Sequence, residues 1–223
     1  MGECVFVVGK SGSGKSYSLR NFDSDCVGVF SVGGKRLPFK GGPSAFSLED
    51  STAKERYDVI KATLRSNRLN AYVVDDSTFL QTDEQLERTN DKDTFKTYRE
   101  IGVHLAQLIN VAKRTSPDTI VYFLHHVDYD ERGNEKIRSI GKMIDEKYNP
   151  VERCNVVLDC VSRGKDHLFI TNADDSSLAK SPPGMFEGPE IPNDLALVDT
   201  AMREFWGMEP LKKPDKPTKE VEY

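Results

Sequence analysis

Short apolar runs separated by stretches of helical periodicity set the pattern of this chain. Cys4-Val5-Phe6-Val7-Val8, Cys26 to Val32, Ala71-Tyr72-Val73-Val74 and Thr119 to Leu124 each read as a strand buried on both faces. Between them fall helical stretches at about Ser16 to Phe22, Thr52 to Ser66 and Asp93 to Thr115. In the last of these Ile101, Leu105, Leu108, Ile109 and Ala112 share one face. This alternation predicts an α/β fold with a mostly parallel central sheet flanked by helices. A helix from about Ile140 to Tyr148 then leads into two strands, Asn155 to Ser162 and His167 to Thr171. Their tight link, Arg163-Gly164-Lys165-Asp166, predicts a C-terminal antiparallel hairpin. A final helix from about Asp194 to Trp206 ends a single domain assigned to residues 1–207.

The intervening segments carry turn chemistry. Lys35 to Asp50, with Pro38, Gly41, Gly42 and Pro43, reads as an ordered loop, and Asp174 to Asn193 is also proline-rich. Asp128 to Lys136, charged around Gly133-Asn134, reads as an exposed loop or hairpin tip. Residues 208–223 alternate Lys, Pro and Glu and are expected to form a disordered tail.

Composition narrows the class. The chain has 223 residues, of which 37% are hydrophobic, enough for a core, and no apolar run approaches the roughly 18 residues of a spanning helix. Its start runs into the first strand without the regions of a signal peptide, so a cytoplasmic protein without membrane attachment is expected. Cys4, Cys26, Cys154 and Cys160 lie on apolar segments without metal-type spacing and read as buried thiols. A net charge of −5 argues against a globally basic nucleic-acid coat.

The first strand runs into Gly9-Lys10-Ser11-Gly12-Ser13-Gly14-Lys15-Ser16, a P-loop in strand-loop-helix context. Its glycines let backbone N–H groups turn inward around phosphates, and the helix beginning near Lys15 adds its positive end. Residues Gly9 to Tyr17 are thus the candidate nucleotide-binding segment, with Lys15 reaching the β- and γ-phosphates and Ser16 offering its hydroxyl to Mg²⁺. The strand ending in Asp75-Asp76 supplies the second half: Asp75 is the candidate metal carboxylate. Asp76 either orients or deprotonates the attacking water, or caps the turn begun by Ser77 and Thr78. His125 and His126 follow the fourth strand. Adjacent strand residues point to opposite faces, so the two do not readily share a metal ion.

Taken together, the P-loop, the Val-Val-Asp-Asp strand end, Gly-Lys-Arg-Leu-Pro-Phe at residues 34–39, the His-His strand tip, and Ala-Lys-Ser-Pro-Pro-Gly-Met-Phe followed by Ile-Pro-Asn-Asp-Leu resemble the phage-encoded RecA-like ATP-binding proteins. The resemblance runs from residue 4 to about residue 206 and extends to the Sak-type single-strand annealing ATPases. It implies a RecA-like P-loop NTPase fold, ATP with Mg²⁺ as cofactors, and the host cytoplasm as location. It also implies ATP hydrolysis in phage recombination or replication, with single-stranded DNA and phage or host replication proteins as partners. A RecA-type sheet would bring His125 or His126 beside the γ-phosphate. Homo-oligomers, as rings or filaments, are implied too, with a cation from a neighbour acting on the γ-phosphate; Arg163, Lys165 and Lys180 are the candidates. DNA contacts would fall around Arg132 to Lys142 and Asp174 to Gly188, with Lys136, Arg138 and Lys142 meeting phosphates.

One departure stands out. Such ATPases usually carry a Glu at the end of the second strand to activate water, and here Ser31-Val32-Gly33-Gly34 stands in its place. Either Asp76 or the more distant Glu49 replaces it, or the protein hydrolyses ATP slowly. A missing base costs on the order of 10²–10⁴ in rate. A nucleotide-gated adaptor is therefore the alternative. A small-molecule kinase fits less well, since the only arginines in the candidate lid, Arg132 and Arg138, sit in an acidic stretch.

Overall fold

The computed structural model describes residues 1–141, 148–173 and 176–213. Among the described residues nine strands form one sheet: β1 Glu3–Gly9, β2 Gly28–Ser31, β3 Ala45–Ser47, β4 Ala71–Asp75, β5 Ile120–Tyr129, β6 Glu135–Ile137, β7 Val156–Arg163, β8 Asp166–Ile170 and β9 Glu190–Pro192. Their order is β3-β2-β4-β5-β1-β7-β8-β9, with β6 paired to the far end of β5. From β3 through β7 the pairings are parallel, while β7–β8, β8–β9 and β5–β6 are antiparallel. This is the α/β, mostly parallel architecture expected, with the hairpin at residues 156–170 in place.

The centre of the sheet explains the apolar runs. β1 lies between β5 and β7, in register from Glu3↔Ile120 to Gly9↔His126 and from Val5↔Val156 to Val8↔Asp159. Both faces of such a strand need cover, and alternate residues serve two cores. Phe6 and Val8 pack with Tyr57, Ile60 and Leu64 of α1 (Ala53–Ser66), Leu80 of α2 (Phe79–Glu87) and Leu105 and Leu108 of α3 (Thr94–Lys113). Val5 and Val7 face Leu195, Val198 and Met202 of α4 (Leu195–Trp206), together with Leu19 and Phe22. Local signals fix the helix ends. Thr52 and Glu55 form a capping box on α1, and Gly207, at φ 64°, ends α4.

Several boundaries differ from the sequence expectation. The helix expected at Ser16 to Phe22 is a single 3-10 turn, Ser16–Leu19. Ser18 donates to the Lys15 carbonyl, while Arg20 and Asn21 reach Asn193 and Asp194 instead of supporting a longer helix. The phosphate loop therefore has little helix dipole behind it. α2 was not expected, because its buried face includes Gln81 and Glu84 beside Leu80 and so lacks an apolar stripe. β3 and β9 lie within stretches read as loops, and three residues each are too few for an alternation to show. β5 runs past the two histidines to Tyr129, because Val127↔Ile137 pairing with β6 extends it.

Most of the helix expected at Ile140 to Tyr148, Lys142 included, lies outside the described residues, as do residues 214–223 of the expected tail. Residues 208–213 are held against the domain. Asn70 donates to Pro210 O at 2.8 Å and accepts from Lys212 N at 2.8 Å, and Met208 and Leu211 pack on the second core. Beside them lies a buried polar knot. Arg203 pairs with Asp199 and donates to the carbonyls of Asn70, Asp118 and Glu209, while Tyr122 donates to Asp199 at 2.8 Å. The four cysteines are buried and free.

Candidate functional site

β1 and β4 end at the carboxyl edge of the sheet on either side of β5, which continues beyond them, and the loop after β1 curls over that edge. Its glycines take conformations that other residues rarely adopt: φ is +145° at Gly9, +80° at Gly12 and +103° at Gly14. A Cβ on Gly9 would meet Cys160 O at 2.5 Å, so β7 lies too close for any side chain there. Lys15, only 6% exposed, folds back and donates to the carbonyls of Gly9 and Lys10, each at 2.8 Å. Burial lowers its pKa below the ordinary 10.5. A cavity of about 280 Å³ opens above the loop, walled by Lys15, Ser16, Lys35, Asp76 and His126 among others.

The two motifs singled out in the sequence meet here. Ser16 Oγ donates to Asp75 Oδ1 at 2.8 Å across 59 residues of chain. Asp75 is 4% exposed, and burial, reinforced by the neighbouring Asp76 charge, raises its pKa to about 6. Ser16 and Asp75 thus present a hydroxyl and a carboxylate, the hard oxygen donors Mg²⁺ takes alongside water and phosphate oxygens. A dication there would offset the cost of the buried carboxylate. The residues fit the metal, which when bound would neutralise and orient phosphate oxygens.

Asp76 sits at φ 55° and turns its carboxylate into the cavity, not onto the following turn as a cap. It accepts from Lys35 Nζ at 2.8 Å, and His126 Nε2 lies 3.4 Å from its other oxygen. Burial works to raise its pKa, but the contacts with His126 and Lys35 together prevail and hold it at about 2. Asp76 is therefore ionised at any ordinary pH and a weak proton acceptor.

The two histidines part company, as strand alternation requires. His126 lines the cavity, and its backbone N–H donates to Thr78 Oγ1 at 2.8 Å. His125 points into the first core, fully buried against the edge of Phe6. Its Nε2 donates to Arg138 O at 2.7 Å and its Nδ1 faces the Ser77 hydroxyl at 2.8 Å. Burial lowers its pKa to about 4, so it stays neutral and joins the tip of β4 to the segment after β6.

The remaining candidates lie apart from this cavity. Arg163 is exposed and paired with Glu190 of β9; Lys165 stands at the hairpin turn; Lys180 exchanges backbone hydrogen bonds with Val157. Glu49 is exposed, with its side chain lying over Gly34. Arg138 is paired with Asp128, and Lys136 lies on β6. Three cavity residues, Lys35, Pro38 and His167, are given no site role by the sequence reading. Lys35 follows Gly33-Gly34, whose turn past β2 aims it at Asp76; it lies in the segment at residues 34–39 that carries the resemblance, but nothing there assigns it a role. His167 reaches the loop from β8 and carries no motif at all. A second cavity, of about 390 Å³, flanks the loop's other side, where burial and the nearby Glu135 raise Asp159 to about 6.

No protein-family model matches the chain, and no curated protein matches it. Among solved structures it is similar to a prototypical ATPase from the type III secretion system of pathogenic bacteria. The identity is 15% and the TM-score 0.45, over 71% of this chain and 51% of that one, so the chain spans about half of that structure. At that level of similarity the functional reading rests on the chain's own residues.

Proposed function

We propose that this chain is a Mg²⁺-dependent, ATP-binding P-loop ATPase of RecA-like fold that acts on single-stranded DNA in phage recombination or replication. The observation that carries the nucleotide part is the contact between Ser16 and Asp75 beside Lys15, which joins a phosphate loop to a buried carboxylate suited to a metal at the cavity's Ser16 wall. The sheet order supports the RecA-like part: β5 stands between β1 and β4, so His126 projects between the loop and the Asp75 strand, in place to sense a γ-phosphate. The DNA role and oligomer formation follow from the sequence resemblance. In that reading the β5–β6 hairpin, which carries Lys136 and leads to Arg138, joins the sensing strand to DNA, and Arg163 or Lys180 serves a neighbouring subunit's site.

A second reading, a nucleotide-gated adaptor with slow turnover, is favoured by Asp76. Held at about 2, it orients water well but takes a proton poorly, and β2 ends without an acid. A loose phosphoryl-transfer transition state asks little of a base, so positioning by Asp76 sustains some hydrolysis. The test is ATP binding and hydrolysis with Mg²⁺, with and without single-stranded DNA, beside Lys15→Ala. Turnover stimulated by DNA and abolished in Lys15→Ala supports the first reading. Tight binding with negligible turnover supports the adaptor, and absence of Mg²⁺-dependent ATP binding sinks both.

A further inference from the structure

The sheet order puts different chemistry on the two flanks of the P-loop. β4 and β5 lie on one side of β1, and β7 and β8 on the other. Asp76 and His126 therefore reach the cavity from one flank, with Asp75 buried behind Ser16, and His167 reaches it from the opposite one. The hairpin register fixes His167 by pairing it with Ser162, whose hydroxyl lies 3.0 Å from Nδ1. Its ring lies directly on the loop, since a Cβ on Gly14 would come within 2.6 Å of His167 Cγ. Tyr17, the first residue after the P-loop, stands beside it, with ring centroids 6.0 Å apart and planes inclined at 55°. The Arg20 guanidinium covers the Tyr17 ring at 4.3 Å and is anchored on Asn193 O at 2.6 Å. Even so, Tyr17 remains 38% exposed, and both rings line the cavity.

Two aromatic rings held in place yet left open at the rim of a phosphate cradle suit a planar, apolar-faced group. We infer that Tyr17 and His167 form the nucleobase subsite, which takes the purine of a nucleoside triphosphate by stacking; this rests on the nucleotide reading above. A triphosphate whose terminal phosphate faces Asp75 and His126 crosses the loop toward β7 and β8 and delivers its base to these rings. Stacking grows with ring area, so the subsite favours purines over pyrimidines.

The experiment is calorimetric titration, with Mg²⁺ present, of ATP, CTP and inorganic tripolyphosphate into the full chain and its Tyr17→Ala, His167→Ala and Tyr17→Trp variants. Tyr17→Ala is expected to weaken ATP binding by roughly 5- to 150-fold, the range of one aromatic stack, and to leave tripolyphosphate binding unchanged. His167→Ala should weaken ATP binding in the same sense. Because it also removes a support of the loop, the Tyr17 variants decide. Tyr17→Trp should keep ATP affinity and report the base directly, its fluorescence quenched by ATP and not by tripolyphosphate. The subsite is overturned if Tyr17→Ala leaves ATP binding intact, if it weakens ATP and tripolyphosphate equally, or if the unaltered chain binds the two alike. Binding of neither ligand by the unaltered chain overturns the nucleotide reading itself, and the subsite with it.

Discussion

Asp75 gives the sharpest test, because the same burial that prepares it for a cation penalises the protein without one. Asp75→Asn keeps the shape and a carbonyl oxygen for the Ser16 hydroxyl, now 2.8 Å from Oδ1, and removes the charge. The carboxyl rises from its ordinary 3.8 to about 6 in the folded chain. A raised acid makes the folded state the better proton binder, so its penalty is absent below the unfolded pKa, grows as pH rises between the two values, and is complete above about 6. That rise is worth about 3 kcal/mol at pH 8. The nucleotide-free variant should then melt higher than the unaltered chain at pH 8, by roughly 6–12 °C for a domain this size, and the gap should close as pH falls toward 4. Asp159, also raised to about 6, is common to both proteins and cancels in the difference. Mg²⁺-ATP should reverse the order by stabilising only the protein that binds it. Thermal melts from pH 4 to 8, with and without Mg²⁺-ATP, measure all of this. A variant no more stable at pH 8, or one stabilised equally by Mg²⁺-ATP, refutes the placing of Asp75 as a buried metal carboxylate.

Other consequences are as direct. Arg203→Met strands the fully buried Asp199 without its cation; unfolding in urea should show a loss of about 3–5 kcal/mol, partly restored by adding Asp199→Asn. Gly14→Ala places a Cβ 2.6 Å from the His167 ring at φ +103°, whereas Gly12→Ala, at φ +80°, meets nothing within 4 Å. Nucleotide titrations should therefore show the larger loss at Gly14, and equal losses would count against the close seat of His167. Lys35→Met removes one of the two contacts that hold Asp76 at about 2. The acid limb of the pH dependence of ATP turnover should move toward neutrality, and an unmoved limb would separate Asp76 from the reaction.

The sequence was most legible where local chemistry is obligatory. A strand covered on both faces has to be apolar along its length, so β1, β4 and β5 show as runs, and the acids at the end of β4 mark its edge of the sheet. The glycines of the P-loop occupy backbone conformations that few other residues tolerate, so their spacing is itself a structural statement. The hairpin at residues 156–170 needed only two apolar strands and a turn at Gly164, whose φ is +65°. Polar burial defeated the same reading: α2 hides Gln81 and Glu84 inside, and the 3-10 turn after the P-loop is cut short by side chains drawn to Asn193 and Asp194.

From sequence alone, then, came the two halves of the site and the class of fold, because both depend on neighbours along the chain. Tertiary structure decided how the halves are joined. Strand order, with β5 between β1 and β4, is a matter of pairing between segments far apart in sequence, and no local pattern encodes it. That order sends His126 into the cavity and His125 into the core, brings Ser16 to Asp75, and lays Lys35 and His167 against the loop from opposite flanks. A polar side chain acquires its role from the groups around it, and those are fixed only when the sheet closes around them.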